Sequence, residues 1–435
     1  MNAIIGIRRE DKNKWERRVP LIPADTSDLQ AKRGLRFLVQ PSSVRVYTDD
    51  EYRSAGVEVN EDLGPASVIL AVKEIPTHLL LPEKTYVFFA HVVKGQPHNM
   101  PMLRRLMELG CSLVDYEKIT DDQKRRLIFF GRHAGYAGMI ETLHCLGRRL
   151  AAAGVSTPLS QVRSAFEYLD LNEAKAHLTT LGDEIVRQSA ARPLIVGFSG
   201  YGHVSMGAQE VFDCLKPVEV PVRDLAAVAS AAAGPRPMKV VFREEDMVER
   251  KEQNTPFNLQ EYYDHPERYE GRFEKHLPHL DVLVNCIYWD SRYPRLVTRE
   301  WARKNYLPGS APRLKVIGDI SCDIEGSVEL TLRPTEPDHP CYVYLPEQDS
   351  VRDGVEGNGP VIMAIDNLPC EIPRESSQYF SSVLRDMVAP LVTADWQVPF
   401  EMLDLPPYLK RAVIVHRGRL TPDYQYIQRH LEAHP

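Results

Sequence analysis

The sequence lacks any apolar run long enough to cross a membrane. A transmembrane helix needs about 20 consecutive apolar residues, and none of the 435-residue chain's apolar runs approaches that length. The first residues, MNAIIGIRRE, place a short apolar stretch before the positive charge. A secretory signal places the charge first and carries a longer apolar core. We therefore expect a soluble, cytoplasmic protein with no membrane partner.

Cysteines are few and show no pattern. Seven are scattered along the chain and are never spaced as CxxC. An odd and scattered set argues against a disulfide framework and against a zinc site. A cysteine inside an apolar run, such as Cys286 in VLVNCIYW, is typical of a small buried side chain. The sequence predicts no metal site.

An excess of basic residues is also missing. Lys and Arg together number 53 against 60 Asp and Glu, which gives a formal net charge of -7. A mildly acidic chain gains nothing from a polyphosphate backbone, so we expect no nucleic-acid partner. The length favours two or three domains, and the 43% hydrophobic content is ordinary for a globular protein.

Short apolar runs alternate with helix-like segments along much of the chain. The runs are IIGIR, RFLVQ, SVILAVKEI and TYVFFAHVV in the first part, and PLIVGF, LDVLVNCIYW and LKVIGDIS in the second. This alternation predicts an α/β fold with parallel sheets. The stretch GYAGMIETLHCLGRRLAAAG predicts a long helix that leaves the first domain. The charged stretch at about 245–280 fits a lid, an interface or a solvated loop.

The most informative local feature is a glycine turn after PLIVGF. Gly200 and Gly202 lie between a predicted strand and a predicted helix. In dinucleotide-binding folds the first glycine makes the tight turn, the second admits the pyrophosphate, and the helix start offers free N–H groups. Ser205 stands where a third glycine is common, and Gly207 follows two residues later. A strand–helix turn without a ligand is the alternative.

A residue that contacts the cofactor's ribose should follow the next strand, about 20 residues on. The sequence there reads PVEVPVRD. Glu219 or Asp224 would take the ribose hydroxyls of NAD, whereas Arg223 would meet the 2′-phosphate of NADP. The sequence leaves this choice open, and exposed loop charges fit equally well.

Ionisable residues end two predicted strands of the first domain. Lys73 ends the strand in VILAVKEIP, and His91 takes the same place in YVFFAHVVKGQ. Ligand sites in open α/β sheets gather at such ends, where a lysine of lowered pKa and a histidine suit proton transfer. Arg18, in WERRVP, would grip a substrate carboxylate, and Lys94 adds a further cation. Each of these residues alone also fits a structural role.

Seven sequence blocks occur in an order similar to that of a known family. They read ERRVPLIP, LAVKEIP, FFAHVVKGQ, FGRHAGYAG, LVNCIYW, DISCDIEGS and AIDNLPCEIPRESSQYFS. The chain resembles the lysine-forming saccharopine dehydrogenases, in particular the lysine–ketoglutarate reductase half of the bifunctional aminoadipic semialdehyde synthase. The stretch YYDHPERYEGRF also resembles that half. The family is related to alanine dehydrogenase and to transhydrogenase.

The resemblance implies a fold and its domain boundaries. Two Rossmann-like, doubly wound parallel-sheet domains would enclose an active-site cleft. Residues 1–131 and 370–435 would form the substrate domain, which is similar to the N-terminal domain of alanine dehydrogenase. Residues 132–369 would form the dinucleotide-binding domain.

The resemblance also implies a reaction. L-Lysine and 2-oxoglutarate would condense to an imine that NAD(P)H reduces to saccharopine, and the reverse oxidation would release lysine. NADP is the expected cofactor, with NAD as the alternative. The family's catalytic pair falls on Lys73 and His91, and its substrate-carboxylate arginine falls on Arg18.

Further positions of the family fall on ionisable residues of this chain. Lys94 and Asp366 match an ion pair of the family, while Glu74 and Glu117 match acids of its substrate site. The expected cofactor-binding residues are Gly200, Gly202, His203, Val204, Ser205, Arg223, Asp224 and Ile287.

Two other functions stay open at this point. An alanine dehydrogenase-like or other opine-type dehydrogenase would use the same lysine and histidine. A catalytically silent nucleotide-binding or regulatory protein would keep the fold alone, since fold does not fix function. The glutamate-forming half of the bifunctional enzyme is not in the sequence, so we expect a separate saccharopine dehydrogenase to take the next step.

Overall fold

The chain forms two compact units in the computed structural model. Unit 1 comprises Met1–Phe129 with Pro373–Pro435, and unit 2 comprises Phe130–Ile372. In the part of the chain that the structure describes, no helix has both the length and the apolar character needed to cross a membrane. The described residues are 4–188, 192–231, 236–252, 255–310 and 312–433.

Short strands and helices alternate along both units. The strands are β1 (Ile4–Ile7), β2 (Arg36–Val39), β3 (Glu58–Val59), β4 (Val68–Leu70), β5 (Thr85–Phe88), β6 (Ser112–Asp115), β7 (Ile195–Ser199), β8 (Val218–Glu219), β9 (Met238–Phe242), β10 (Val248–Arg250), β11 (Tyr269–Gly271), β12 (Val282–Asn285), β13 (Val316–Asp319), β14 (Cys341–Leu345), β15 (Ser350–Asp353), β16 (Val361–Met363), β17 (Val413–His416) and β18 (Arg419–Leu420). The helices are α1 (Pro23–Arg33), α2 (Asp49–Ser54), α3 (Met100–Glu108), α4 (Gly131–Ala152), α5 (Leu171–Arg187), α6 (His203–Phe212), α7 (Leu225–Ser230), α8 (Glu244–Met247), α9 (Leu259–Asp264), α10 (Arg299–Asn305), α11 (Pro373–Thr393), α12 (Pro407–Lys410) and α13 (Gln428–Ala433).

The sheet of unit 1 has the strand order β18-β17-β6-β5-β4-β1-β2-β3. Strands β1 to β6 pair in parallel, and β17 and β18 add antiparallel strands at one side. Leu70 of β4 lies opposite Val87 of β5, so the two strands end together. Residues that follow β4, β5 and β6 therefore lie along one edge, which we call the carboxyl edge of unit 1.

Helix α11 belongs to unit 1 although it lies late in the chain. Ser377 and Ser381 accept hydrogen bonds from the backbone N–H groups of Val19 and Ile22, each at 3.0 Å. These bonds hold the segment directly after Arg18 against the helix. The tertiary packing of the C-terminal part therefore fixes the backbone beside a predicted substrate-binding residue.

The sheet of unit 2 has the order β15-β14-β16-β13-β12-β7-β9-β8. Its strands β7, β8, β9, β12, β13 and β16 pair in parallel, whereas β14 and β15 are antiparallel. Strand β7, which precedes the glycine turn, lies between β12 and β9. Two parallel-dominated eight-stranded sheets with helices confirm the predicted α/β class.

The charged stretch at about 245–280 is an ordered part of unit 2 in its described residues. Strands β10 and β11 pair antiparallel, with Val248 opposite Gly271. Met247 and Tyr269 are buried in the apolar core of the unit. Glu261 forms ion pairs with two arginines of this segment. The segment therefore differs from a plain solvated loop, and we call its described residues, 244–252 and 255–271, the insert.

Candidate active site

The carboxyl edge of unit 1 carries the predicted proton-transfer residues. Lys73 and Glu74 follow β4, and His91 follows β5. Because β4 and β5 are parallel neighbours, their following turns lie side by side. The structure thus brings together Lys73, Glu74 and His91, which are separated by up to 18 residues in sequence.

His91 is oriented by a carboxylate. Its Nδ1 lies 2.6 Å from Oε1 of Glu74, and Lys12 Nζ lies 3.0 Å from the other oxygen. Burial raises the pKa of Glu74, but the hydrogen bond from His91 and the charges of His91 and Lys12 outweigh burial. The net effect is a Glu74 pKa well below its usual range. Glu74 is therefore an ionised acceptor that fixes the imidazole and leaves Nε2 for proton exchange.

The backbone at His91 is held in an uncommon conformation. Its φ is +48°, which few non-glycine residues adopt. Asn99 donates a hydrogen bond to the His91 carbonyl oxygen at 3.2 Å, and the Phe89 ring stacks on the imidazole at 6.3 Å between centroids. Strained backbone that is held by its surroundings is often found at functional sites. These contacts support a site built to present the imidazole.

Lys73 lies in an environment that disfavours its charge. Burial lowers the pKa of Lys73, and the nearby positive charge of Arg18 lowers it further. The turn that carries this lysine is fixed by Glu10, which accepts hydrogen bonds from the backbone N–H groups of Val72 at 2.7 Å and Lys73 at 2.9 Å. A lysine of lowered pKa can serve as a base near neutral pH.

Arg18 is buried and bound to a carboxylate of the protein. Its Nε donates to Glu16 Oε1 at 2.7 Å, and its Nη2 lies 2.6 Å from Oε2. Both residues are less than 5% exposed, at 3% and 1%. This two-pronged pair fixes the plane of the guanidinium. The sequence did not reveal Glu16 or Glu10, because nothing local marks a carboxylate that turns inward.

The end of β6 adds two acids to the same edge. Asp115 is fully buried, and burial raises its pKa to about 7. Its Oδ1 accepts a hydrogen bond from the backbone N–H of Glu117 at 2.9 Å, and Glu117 forms an ion pair with Arg126. Unlike Glu117, Asp115 was not singled out from the sequence.

The predicted ion pair of Lys94 and Asp366 involves both units. Lys94 is exposed in unit 1, three residues after His91. Asp366 is exposed in unit 2, three residues after β16. Their pairing stays a prediction.

The glycine turn of unit 2 has the backbone that a nucleotide site needs. Gly200 has a φ of +83°, which disfavours any side chain with a Cβ. Gly202 is the N-cap of α6, which begins at His203. Helix α6 thus directs its first free N–H groups toward the turn, as a pyrophosphate site requires.

The start of α6 has a serine where a third glycine is common, and a glycine two residues later. Ser205 is fully buried, and its Oγ accepts a hydrogen bond from Gln209 at 2.9 Å. A Cβ added to Gly207 would overlap the carbonyl oxygen of Arg132 in α4. Gly207 therefore allows α6 to pack closely against α4. The departure from GxGxxG at Ser205 does not disturb the turn.

A cavity of about 480 Å³ opens beside the glycine turn. Predicted cofactor residues that line it are Gly200, Gly202 and Ile287. The insert forms another wall with Glu244, Met247, Val248, Tyr262 and Tyr263, and the loop after β12 adds Tyr288 and Trp289. Volume, aromatic lining and an adjoining helix start fit a nucleotide. In the described residues, no three His, Cys, Asp or Glu side chains are grouped to hold a metal ion.

The order of strands in the sheet of unit 2 differs from their order along the chain, and this determines which residues follow the strand next to β7. The chain runs from α6 through the edge strand β8 and helix α7 before it forms β9, and β9 rather than β8 pairs with β7. Arg243 and Glu244 therefore occupy the place after the neighbouring strand. Arg223 and Asp224 follow β8, one strand farther out, and do not line the cavity. The next strand along the chain is therefore not the neighbour of β7, and contact of Arg223 or Asp224 with the ribose stays a prediction.

Comparisons with known proteins show the family to which the chain belongs. The model of the alanine dehydrogenase/PNT N-terminal domain matches residues 6–137, and that of the C-terminal domain matches residues 226–423. Alpha-aminoadipic semialdehyde synthase of Arabidopsis thaliana is 38% identical over 100% of this chain and 42% of that protein. The mitochondrial protein of the same name from Bos taurus is 36% identical over 98% of this chain and 48% of that protein. The chain thus spans less than half the length of these relatives.

Shorter relatives and solved structures are similar to this chain over most of its length. Saccharopine dehydrogenase [NAD(+), L-lysine-forming] of Emericella nidulans is 28% identical over 87% of this chain and 90% of that protein. An L-alanine dehydrogenase structure matches with a TM-score of 0.62 and 18% identity, covering 98% of this chain and 99% of that one. A transhydrogenase from Sinorhizobium meliloti matches with a TM-score of 0.57 and 15% identity, covering 96% and 100%. The chain belongs to the alanine dehydrogenase/PNT family, with both of its domains present.

Proposed function

We propose that the chain is an NAD(P)-dependent, lysine-forming saccharopine dehydrogenase. It would catalyse the reversible reductive condensation of L-lysine and 2-oxoglutarate to saccharopine. The observation that carries the proposal is the placement of Lys73, with its lowered pKa, beside the Glu74-bound His91 on one sheet edge. The names of the relatives in Arabidopsis and Emericella support this choice of substrate.

The reaction needs proton transfers at two points. The ε-ammonium group of lysine has to lose a proton before its nitrogen attacks the ketone carbon of 2-oxoglutarate. The carbinolamine that forms then has to gain a proton on its hydroxyl, so that water leaves and a protonated imine remains. Lys73, whose pKa is lowered by burial, accepts the first proton, and His91 donates the second. Bound NAD(P)H supplies the hydride that reduces the imine carbon.

Substrate carboxylates need fixed positive charge at the same edge. Arg18 supplies it, and the buried pair with Glu16 holds its guanidinium in place. Glu74 orients His91 and carries negative charge beside the substrate amine. Lys94, Glu117 and Asp366 enter the proposal as further substrate-binding residues on the strength of the family resemblance.

The cofactor belongs in the cavity beside the glycine turn of unit 2. Gly200 and Gly202 admit the pyrophosphate, and the first turn of α6, with His203, Val204 and Ser205, supplies the N–H groups and the positive helix end. Ile287 lines the same cavity. NADP is the cofactor we propose, because an arginine, Arg243, directly follows β9 and would bind the 2′-phosphate.

The test follows the loss of reduced nicotinamide absorbance. Wild-type protein is mixed with 2-oxoglutarate and NADPH or NADH, with and without lysine. We expect oxidation that requires both lysine and 2-oxoglutarate. Lys73→Met and His91→Asn should each lower turnover by about 100- to 10,000-fold, the usual contribution of a proton-transfer group.

A matched control and two other outcomes decide between functions. Lys32→Met changes an exposed lysine paired with Asp28 and should leave turnover unchanged. Oxidation driven by pyruvate and ammonia alone would assign the chain to an alanine dehydrogenase reaction. Cofactor binding without turnover on any of these substrates would instead favour a regulatory nucleotide-binding protein.

A further inference from the structure

The insert contributes directly to the cofactor cavity. Glu244 follows β9 and begins α8, and Tyr262 and Tyr263 lie on α9 of the insert. All three residues line the cavity beside the glycine turn. The ion pairs of Glu261 with Arg250 and Arg268 join α9 to β10 and to the turn before β11. These ion pairs fix α9 within the insert, so a residue of α9 can hold a neighbouring side chain of the cavity in one position.

Glu244 is held by a tyrosine of α9. The Tyr263 hydroxyl donates a hydrogen bond to Glu244 Oε1 at 2.7 Å. Tyr201, the residue between the two glycines of the turn, also lies against this carboxylate: burial and the Glu244 charge raise the pKa of Tyr201. The acid that would otherwise accept the ribose hydroxyls is therefore bound by the hydroxyl of Tyr263.

Arg243 differs from Glu244 in its surroundings. Its guanidinium carbon lies 4.7 Å from the centroid of the Tyr201 ring, and the residue is exposed. Its backbone N–H donates a hydrogen bond to Asp246 Oδ2 at 2.9 Å. A stacked, planar guanidinium at this position is suited to bind a phosphate group.

We infer that the insert makes the cavity selective for NADP over NAD. Tyr263 is the positioning residue. Its hydroxyl holds the Glu244 carboxylate toward α9, so that Arg243 meets the 2′-phosphate of the cofactor. A carboxylate released toward the ribose would repel that phosphate and accept the hydroxyls of NAD instead. This inference rests on the proposed nicotinamide cofactor but does not depend on the amino-acid substrate.

Binding of NADPH and of NADH, measured separately by calorimetry on the full chain, tests the inference without turnover. Wild-type protein should bind NADPH more tightly. Arg243→Gln should weaken NADPH binding by about 10- to 100-fold, as expected for the loss of a charge-assisted hydrogen bond, and leave NADH binding unchanged.

Tyr263→Phe removes one hydroxyl and keeps the ring. It should weaken NADPH binding and strengthen NADH binding, which lowers the preference for NADPH by about 10-fold. Adding Glu244→Gln to Tyr263→Phe should restore NADPH binding, because the released side chain no longer carries charge. Tyr344→Phe is the control: the Tyr344 hydroxyl also donates to a carboxylate, that of Asp349 at 2.6 Å, but Tyr344 does not line the cavity, so the preference should not change.

Each contrary result has a separate meaning. A wild-type preference for NADH, or an unchanged preference in Tyr263→Phe, would overturn the inference and leave the proposed reaction standing. NADPH binding with the expected variant effects but no lysine-dependent turnover would overturn the proposed reaction alone. Failure of the wild type to bind either nucleotide would overturn both.

Discussion

Glu10 gives a prediction that links the Lys73 turn to the pH dependence of stability. Its carboxylate accepts the backbone N–H groups of Val72 and Lys73, yet it is only 8% exposed. Burial, together with the negative charge of Glu16, raises the pKa of Glu10 to about 7. The folded protein therefore prefers the protonated acid and loses stability where this group has to ionise.

The sign and size of the effect follow from that shift. Between pH 4.5 and about 7 the folded state binds more protons at Glu10 than the unfolded state does. The stabilisation is thus complete below about pH 4.5 and is lost as the pH rises through about 7. Each pH unit is worth about 1.4 kcal/mol, so the loss amounts to about 3 kcal/mol.

Glu10→Gln removes the titratable proton of residue 10 and keeps a hydrogen-bond acceptor for the Lys73 turn. Relative to wild type, the free energy of unfolding of the variant should be about 3 kcal/mol higher above pH 7 than it is near pH 4.5. Any constant cost of a weaker hydrogen bond cancels in that difference. Urea unfolding at a series of pH values measures it, and hydrogen exchange in the peptide carrying Val72 and Lys73 localises it.

Glu58→Gln is the matched control for this experiment. Glu58 is exposed on β3 and bonds to Asn60, so its neutralisation should leave the pH dependence as in wild type. Equal pH dependence of unfolding in Glu10→Gln and wild type would refute the argument. It would mean that Glu10 is ionised in the folded protein throughout this range.

Three further predictions concern unit 2. Gly207→Ala should lower the free energy of unfolding by about 1–3 kcal/mol, because its Cβ would overlap the Arg132 carbonyl; thermal unfolding checks this, and an unchanged midpoint would contradict the close packing of α4 and α6. Gly202→Ala should fold normally, since no atom lies within 4 Å of the added Cβ, but should weaken NADPH binding measured by calorimetry; equal affinity would remove the pyrophosphate from this turn. Thr331→Val should cost about 1–3 kcal/mol in urea unfolding, because Asp319 loses the hydroxyl donor at 2.6 Å and stays buried; no loss would mean that the carboxyl is satisfied without Thr331.

Local sequence patterns were sufficient for the fold class and for the placement of two candidate proton-transfer residues at strand ends. An apolar run that ends in a charged residue marks the end of a buried strand, and this placed Lys73 and His91. Glycines between a strand and a helix marked the turn at Gly200 and Gly202. These signals are local, because strand ends and tight turns depend on residues that are adjacent in the chain.

Contacts between distant segments could not be predicted from local sequence patterns. Glu10 and Glu16 turn inward because of neighbours that lie far along the chain, and an acidic residue in a loop carries no mark of this. The bond between Glu74 and His91 needs β4 and β5 to be neighbours. Burial then sets the directions of the pKa shifts, which sequence alone does not supply.

The sequence by itself determined that strands and helices alternate, where strands end and where the glycine turn lies. Only the tertiary structure decided that β9, and not β8, lies beside β7. Arg243 and Glu244, rather than Arg223 and Asp224, therefore follow the strand that neighbours β7. The tertiary structure also decided that the insert packs into unit 2 and lines the cavity. The physical reason is that strand order is fixed by the burial of whole sheet faces, to which segments from the entire unit contribute.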